Sequence, residues 1–136
     1  MSSTAQYAST PKVGIGVIST ANTNRDGTGT IGTVFTAGAS GSRIDVIEAQ
    51  ATGTTTAGMV RLFIHDGSNA RLIGELPVQA VTPSGTVPAW SAVITSNSSG
   101  IVGSVALPLS IPTGYSLRAS TQNAETFNVI GFGGDF

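Results

Sequence analysis

Cysteine is missing from all 136 residues, and histidine occurs once. Without Cys there is no disulfide framework, no thiolate nucleophile and no cysteine metal site, and a single His cannot close a zinc shell. No cofactor and no metal are expected. Charge is nearly as scarce: Lys and Arg total 6, Asp and Glu total 7, together 10% of the chain, where about 25% is ordinary. That excludes a long charged helix or coiled coil. A net charge of -1 also lacks the basic surplus with which a nucleic-acid binder neutralises phosphates. Long apolar runs are absent too, because every stretch of Val, Ile and Leu is broken within a few positions. None approaches the roughly 18 residues of a membrane-spanning helix, so no membrane partner is expected.

What the chain does contain is Gly, Thr and Ser, with 18, 18 and 16 copies, beside a hydrophobic content of 40%. That content supports a folded core, and the length fits one domain. Residues 1–11 are polar and lack both a basic residue and an apolar run, so they do not read as a secretory signal. They read as an extended N-terminal arm ahead of a single domain over 12–136, with Tyr7 as the arm's one large anchor and Pro11 biasing Thr10 toward extended backbone.

Period two dominates the rest, as half-buried strands require. Val105, Leu107, Leu109 and Ile111 alternate with Ser104, Ala106, Pro108 and Ser110. Val60, Leu62 and Ile64 alternate with Arg61, Phe63 and His65, and Asp66-Gly67-Ser68-Asn69 then supplies turn chemistry for a hairpin into 71–81. Within that next strand Leu72, Leu76, Val78 and Ala80 share one face. Pro77 and Pro108 each remove a backbone donor, which places their strands at an edge or a bulge. Further strands are expected over 12–19, 33–37, 43–52, 89–96, 115–120 and 127–132. Segment 43–52 is read as strand because Ile44, Val46 and Ile47 are β-branched and a helix-hostile TGTTTAG follows. Turns recur about every 8 to 12 residues, the spacing of an antiparallel β-sandwich of eight or nine strands, jelly-roll-like. Its expected core holds Val17, Val34, Val46, Leu62, Leu76, Trp90, Leu107, Leu117 and Val129.

Chemistry is harder to find. Gly27-Thr28-Gly29-Thr30-Ile31-Gly32 satisfies G-x-G-x-x-G, with Asp45 and Glu48 downstream, but that motif needs a strand before it and a helix after it. Neither is expected here, so the segment reads as a loop. Any Ser-His-Asp scheme must run through His65, whose neighbour Asp66 points to the opposite face if the strand continues. His65 is therefore placed on a solvent face and Asp66 in the turn. Asn24 to Asp26 and Asp66 to Asn69 offer oxygen ligands for calcium, yet an Asp-Gly turn explains them without an ion. No spacing selects a glycosidase pair from Glu48, Glu75, Glu125 and the Asp residues. Asn97-Ser98-Ser99 fits the glycosylation acceptor pattern but reads as a turn. The five Arg residues, at 25, 43, 61, 71 and 118, are dispersed and form no basic stripe. Catalysis is not expected.

The last segment, Phe127 to Phe136, is apolar on both faces, with Phe127 and Val129 on one side and Ile130 and Phe132 on the other. Such a strand is either covered on both faces or meets another subunit. With its Ser/Thr arm, its Gly/Thr-rich turns, the segment Leu107-Pro108-Leu109-Ser110-Ile111-Pro112-Thr113-Gly114-Tyr115-Ser116-Leu117-Arg118 and its Gly-rich aromatic end, the chain resembles the small cement or decoration proteins of tailed-bacteriophage virions. The resemblance implies a homotrimer bound in many copies to the major capsid protein, made in the host cytoplasm and located on the capsid surface. Gln6, Tyr7 and Pro11 in the arm, with Ile130, Phe132 and Phe136 at the end, are the expected subunit or capsid contacts. The alternative is a tail, fibre or lectin-like module that binds host carbohydrate, with Trp90 or Tyr115 as an exposed stacking platform.

Overall fold

A computed structural model describes residues 8–95 and 105–136. These residues form nine strands: β1 (Thr10–Ile18), β2 (Gly32–Thr36), β3 (Ser42–Ala51), β4 (Gly58–His65), β5 (Ala70–Val78), β6 (Ser91–Ile94), β7 (Leu109–Ile111), β8 (Ser116–Thr121) and β9 (Phe127–Asp135). They build two antiparallel sheets, one ordered β1-β9-β3-β6 with β7 also pairing β3, the other ordered β2-β8-β4-β5. The pairing is nested: β1 with β9, β2 with β8, β3 with β6 and β7, and β4 with β5. A long two-stranded ribbon folded over itself in this way, with most connections crossing between sheets, is a jelly roll. The expected all-β sandwich is therefore the fold.

Between the sheets Val34, Leu62, Leu76, Trp90, Leu107, Leu117 and Val129 are buried as expected. Trp90 meets Phe127 edge to face, with centroids 5.6 Å apart. Two expected core residues lie elsewhere, and each has a local cause. Val17 is 61% exposed because β1 turns Gly14, Gly16 and Ile18 inward. A Cβ at Gly14 would sit 2.4 Å from the Val34 carbonyl oxygen and one at Gly16 would sit 2.6 Å from that of Thr33. Only glycine allows β1 to lie this close to β2. Val46 faces out because the β3–β9 register shifts between Ile44 and Val46, which sends both Ile44 and Ile47 into the core.

Other departures follow from the same devices. A register shift at Leu62/Phe63 leaves Ile73 as the extra residue of β5, so Leu72 lies on the face opposite Leu76 and Val78. Pro77 does stand on an edge strand. Burial alternates from Val105 to Ile111, but pairing begins only at Leu109, after the donorless Pro108. Thr10 and Pro11 belong to β1 rather than to an arm. The Asp66 turn closes as expected, its Oδ1 accepting from Ser68 N–H at 2.9 Å and Asn69 N–H at 2.8 Å.

The 19–31 connection covers part of the outer face of the second sheet. Asn22, itself buried, donates through Nδ2 to the Thr28 and Thr30 carbonyls, each at 3.0 Å, and accepts from Asn24 N–H at 3.0 Å. Asp26 Oδ1 accepts from the Thr28 N–H and hydroxyl. Beneath this loop lie fully buried Phe63 and the 2% exposed Arg61. Arg61 reaches Glu75 at 3.1 Å and the Asn22 carbonyl at 3.3 Å, and Arg25 closes on the same Glu75 at 2.9 Å.

Two substitutions test this packing. Gly14→Ala should lower the free energy of unfolding by about 1–3 kcal/mol, the usual cost of an added methyl with no space to enter, whereas Val13→Ala should stay within about 0.5 kcal/mol as a surface change. Urea denaturation measures both; equal midpoints would refute the close approach of β1.

Candidate interaction surface

Three rows of side chains cross the outer face of the first sheet, because residues directly opposite in register share a face. The first runs Val13, Phe132, Val46; the second Ile15, Ile130, Glu48, Val93; the third Val17, Asn128, Gln50, Ser91. Val13, Ile15, Val17 and Val93 are exposed by 55%, 64%, 61% and 53%. Ile130 and Phe132, on the central strand, are half-buried between these neighbours. An apolar face of this extent on one side of a small domain is the kind of surface that proteins cover with a partner.

One carboxylate interrupts it. Glu48 lies between Ile130 and Val93 and forms no ion pair with any of the chain's six cations, all of which are among the described residues. A surface laid over this face must bring a cation to Glu48 or leave it at a wet rim.

The edge strand β1, which supplies the most exposed apolar residue of each row, is fastened at its start. Lys12 points inward, its ammonium 4.9 Å from the Phe35 ring centroid, donating to the Thr36 carbonyl and 3.2 Å from Asp135. Asp135 also accepts from the Ser42 hydroxyl, whose oxygen in turn accepts from Gly38 N–H at 2.8 Å. An inward lysine on an edge strand discourages uncontrolled strand addition. The Ser42 hydrogen bond first, then Lys12, holds the Asp135 carboxyl below its ordinary value of 3.8.

Of the expected contact residues, Ile130 and Phe132 lie on this face, and Pro11 lies in β1 opposite Gly134. Phe136 is half-buried, its N–H donating to the Gly41 carbonyl at 3.1 Å. Gln6 and Tyr7 lie outside the described residues, as do Asn97, Ser98 and Ser99. Val13, Ile15 and Val17 were not anticipated; the alternation of Gly14 and Gly16 with them was the available signal. Trp90 is buried and Tyr115 is packed against the core, so neither offers a stacking platform.

The candidate catalytic groups do not assemble. Gly27 to Gly32 form a loop that leads into a strand, without a helix. His65 ends β4 on the outer face while Asp66 holds its own turn. Among the described residues no three His, Asp or Glu side chains cluster as metal ligands.

Acid should weaken the fold. Asp135, Asp26 and Asp66 all have folded values below the ordinary one, so the unfolded chain takes up protons first. The stabilisation is complete above about pH 4 and is lost as pH falls through the lowered values. Urea midpoints measured down to about pH 3 should decline in the wild type and decline less steeply in Asp135→Asn; parallel declines would exclude Asp135 as a contributor. The chain matches no family model and no curated protein.

Proposed function

We propose that this protein is a non-enzymatic structural component of a virion, a cement or decoration protein that binds the major capsid protein and stabilises the phage head as a homotrimer. The observation that carries the reading is the outer face of the first sheet, where Val13, Ile15 and Val17 stand more than half exposed beside Ile130 and Phe132. A jelly roll suits the role, since capsid proteins and lectins recur on this architecture, although fold alone assigns no function. The low charge and the hydroxyl-rich surface favour association over isolation. Within the reading, the apolar rows are the surface covered on assembly, and the residues before β1 add a second attachment. The unpaired Glu48 favours a contact with a different surface that supplies a cation. A two-fold contact centred on Glu48 would instead set two carboxylates together.

Light scattering after size exclusion, followed by co-sedimentation with intact particles, tests the proposal. A trimeric mass, with protein retained on particles, is the expected result. Ile15→Lys should abolish particle retention while leaving the urea midpoint of the subunit nearly unchanged, because Ile15 is on the surface. A monomer that fails to sediment with particles, or an Ile15→Lys variant that binds as the wild type does, would overturn it.

A further inference from the structure

A protein surface laid over the apolar rows of the first sheet encloses one charge. Glu48 stands half-buried in the second row, with Ile130 on one side and Val93 on the other. Among the described residues its carboxylate has neither an ion pair nor a hydrogen bond to another side chain. Covering the face takes water away from this group, and a carboxylate that loses water without gaining a counter-charge opposes association.

A second copy of the chain is a poor source of that counter-charge. Only Arg43 shares the outer face of the first sheet: it precedes buried Ile44 and lies in a register row with Pro11, Gly134 and Ser110, next to the row of Val13, Phe132 and Val46. Its Nε is already held by Asp45 at 2.7 Å. Lys12 is committed to Asp135, and Arg25 and Arg61 to Glu75. Arg71 and Arg118 belong to the second sheet.

The distribution of apolar side chains points the same way. Neighbours in a closed trimer meet through two different surfaces. Outside the rows, however, Val87 in the 82–87 turn is the only exposed large apolar side chain among the described residues, so the chain offers the rows no second apolar surface. Their apolar counterpart on another copy is the same rows, across a two-fold axis, and the cation on that face is the committed Arg43.

We infer that the first sheet is the face that meets the major capsid protein rather than the next copy, and that the surface seated on it presents a lysine or arginine to Glu48 from among apolar side chains. The inference rests on the reading of the protein as a capsid-binding component and adds which partner covers the rows and with what chemistry. Val13, Ile15, Val17, Ile130 and Phe132 supply the apolar contact, and Glu48 fixes its register, because a lone carboxylate in an apolar field favours the one placement that brings a cation over it. The contacts that hold the trimer then lie elsewhere on the subunit.

Co-sedimentation with intact particles over a range of protein concentrations, with light scattering of the free protein, tests the inference in the wild type, Glu48→Gln, Glu48→Arg and Ile15→Lys. Glu48→Gln keeps the size of the side chain and should weaken retention about tenfold, the loss of one charged hydrogen-bonding group. Glu48→Arg sets like charges together and should weaken it about a hundredfold or more. Both variants should keep the wild-type mass and urea midpoint, since Glu48 has no side-chain partner within the subunit. Glu48→Gln retained as tightly as the wild type, with Ile15→Lys lost, would overturn the inference and leave the capsid reading standing. A change of mass in Glu48→Arg would also overturn it, by placing the face between copies. Wild-type retention of Ile15→Lys, or a wild type that does not sediment with particles, would overturn the reading and the inference together.

Discussion

The close approach of β1 to β2 is the constraint on which the arrangement of this sandwich depends. Gly14 and Gly16 face inward where a Cβ would lie within 2.6 Å of a backbone oxygen, and Phe35 fills the space above Gly14 and Gly131. With glycine at the two inner positions in the middle of the strand, the side chains that remain there, Val13, Ile15 and Val17, lie outside. Valine and isoleucine in β1 are consequently presented to solvent, in register with Ile130 and Phe132. Closure of the sandwich edge and exposure of the apolar rows are two results of one packing decision. The inward Lys12 then limits what that edge can pair with, since its ammonium is already committed to Asp135, Thr36 and the face of Phe35.

The second sheet solves a different problem. Its outer face carries Arg61, Phe63, His65 and Arg118, groups that cannot all be left to water or all be buried. The 19–31 connection covers the first two, with Asn22 and Asp26 satisfying its backbone and Glu75 pairing with both Arg25 and Arg61. The loop stops short of His65 and Arg118, which stay half-buried. The two faces of the molecule thus differ in kind. One is apolar with a single unpaired acid, the other polar, with Arg118 outside the ion pairs.

Much of the fold was legible from period two and turn chemistry. All nine strand positions were anticipated, because β-branched residues alternate within them and Gly, Pro, Asn and Asp punctuate between them. What escaped were the places where period two breaks. Val46 and Leu72 change face through bulges at Ile44/Val46 and Ile73, and nothing in the local composition marks an inserted residue. Val17 was assigned to the core by hydrophobicity, whereas the strand's phase was set by glycine. The surface at Ile130 and Phe132 was readable from a strand apolar on both faces. Its extension across β1 was not, since it depends on which strand lies beside β9.

The central claim is that the apolar rows of the first sheet are covered when the protein performs its role. A chain without cysteine allows a direct measurement: a single Ile15→Cys substitution, with Thr86→Cys in the exposed 82–87 turn as reference, labelled by a maleimide before and after incorporation into particles. The account predicts that Cys at Ile15 reacts readily in the free protein and becomes protected on particles relative to the reference position. Equal reactivity at Ile15 in both states would contradict it.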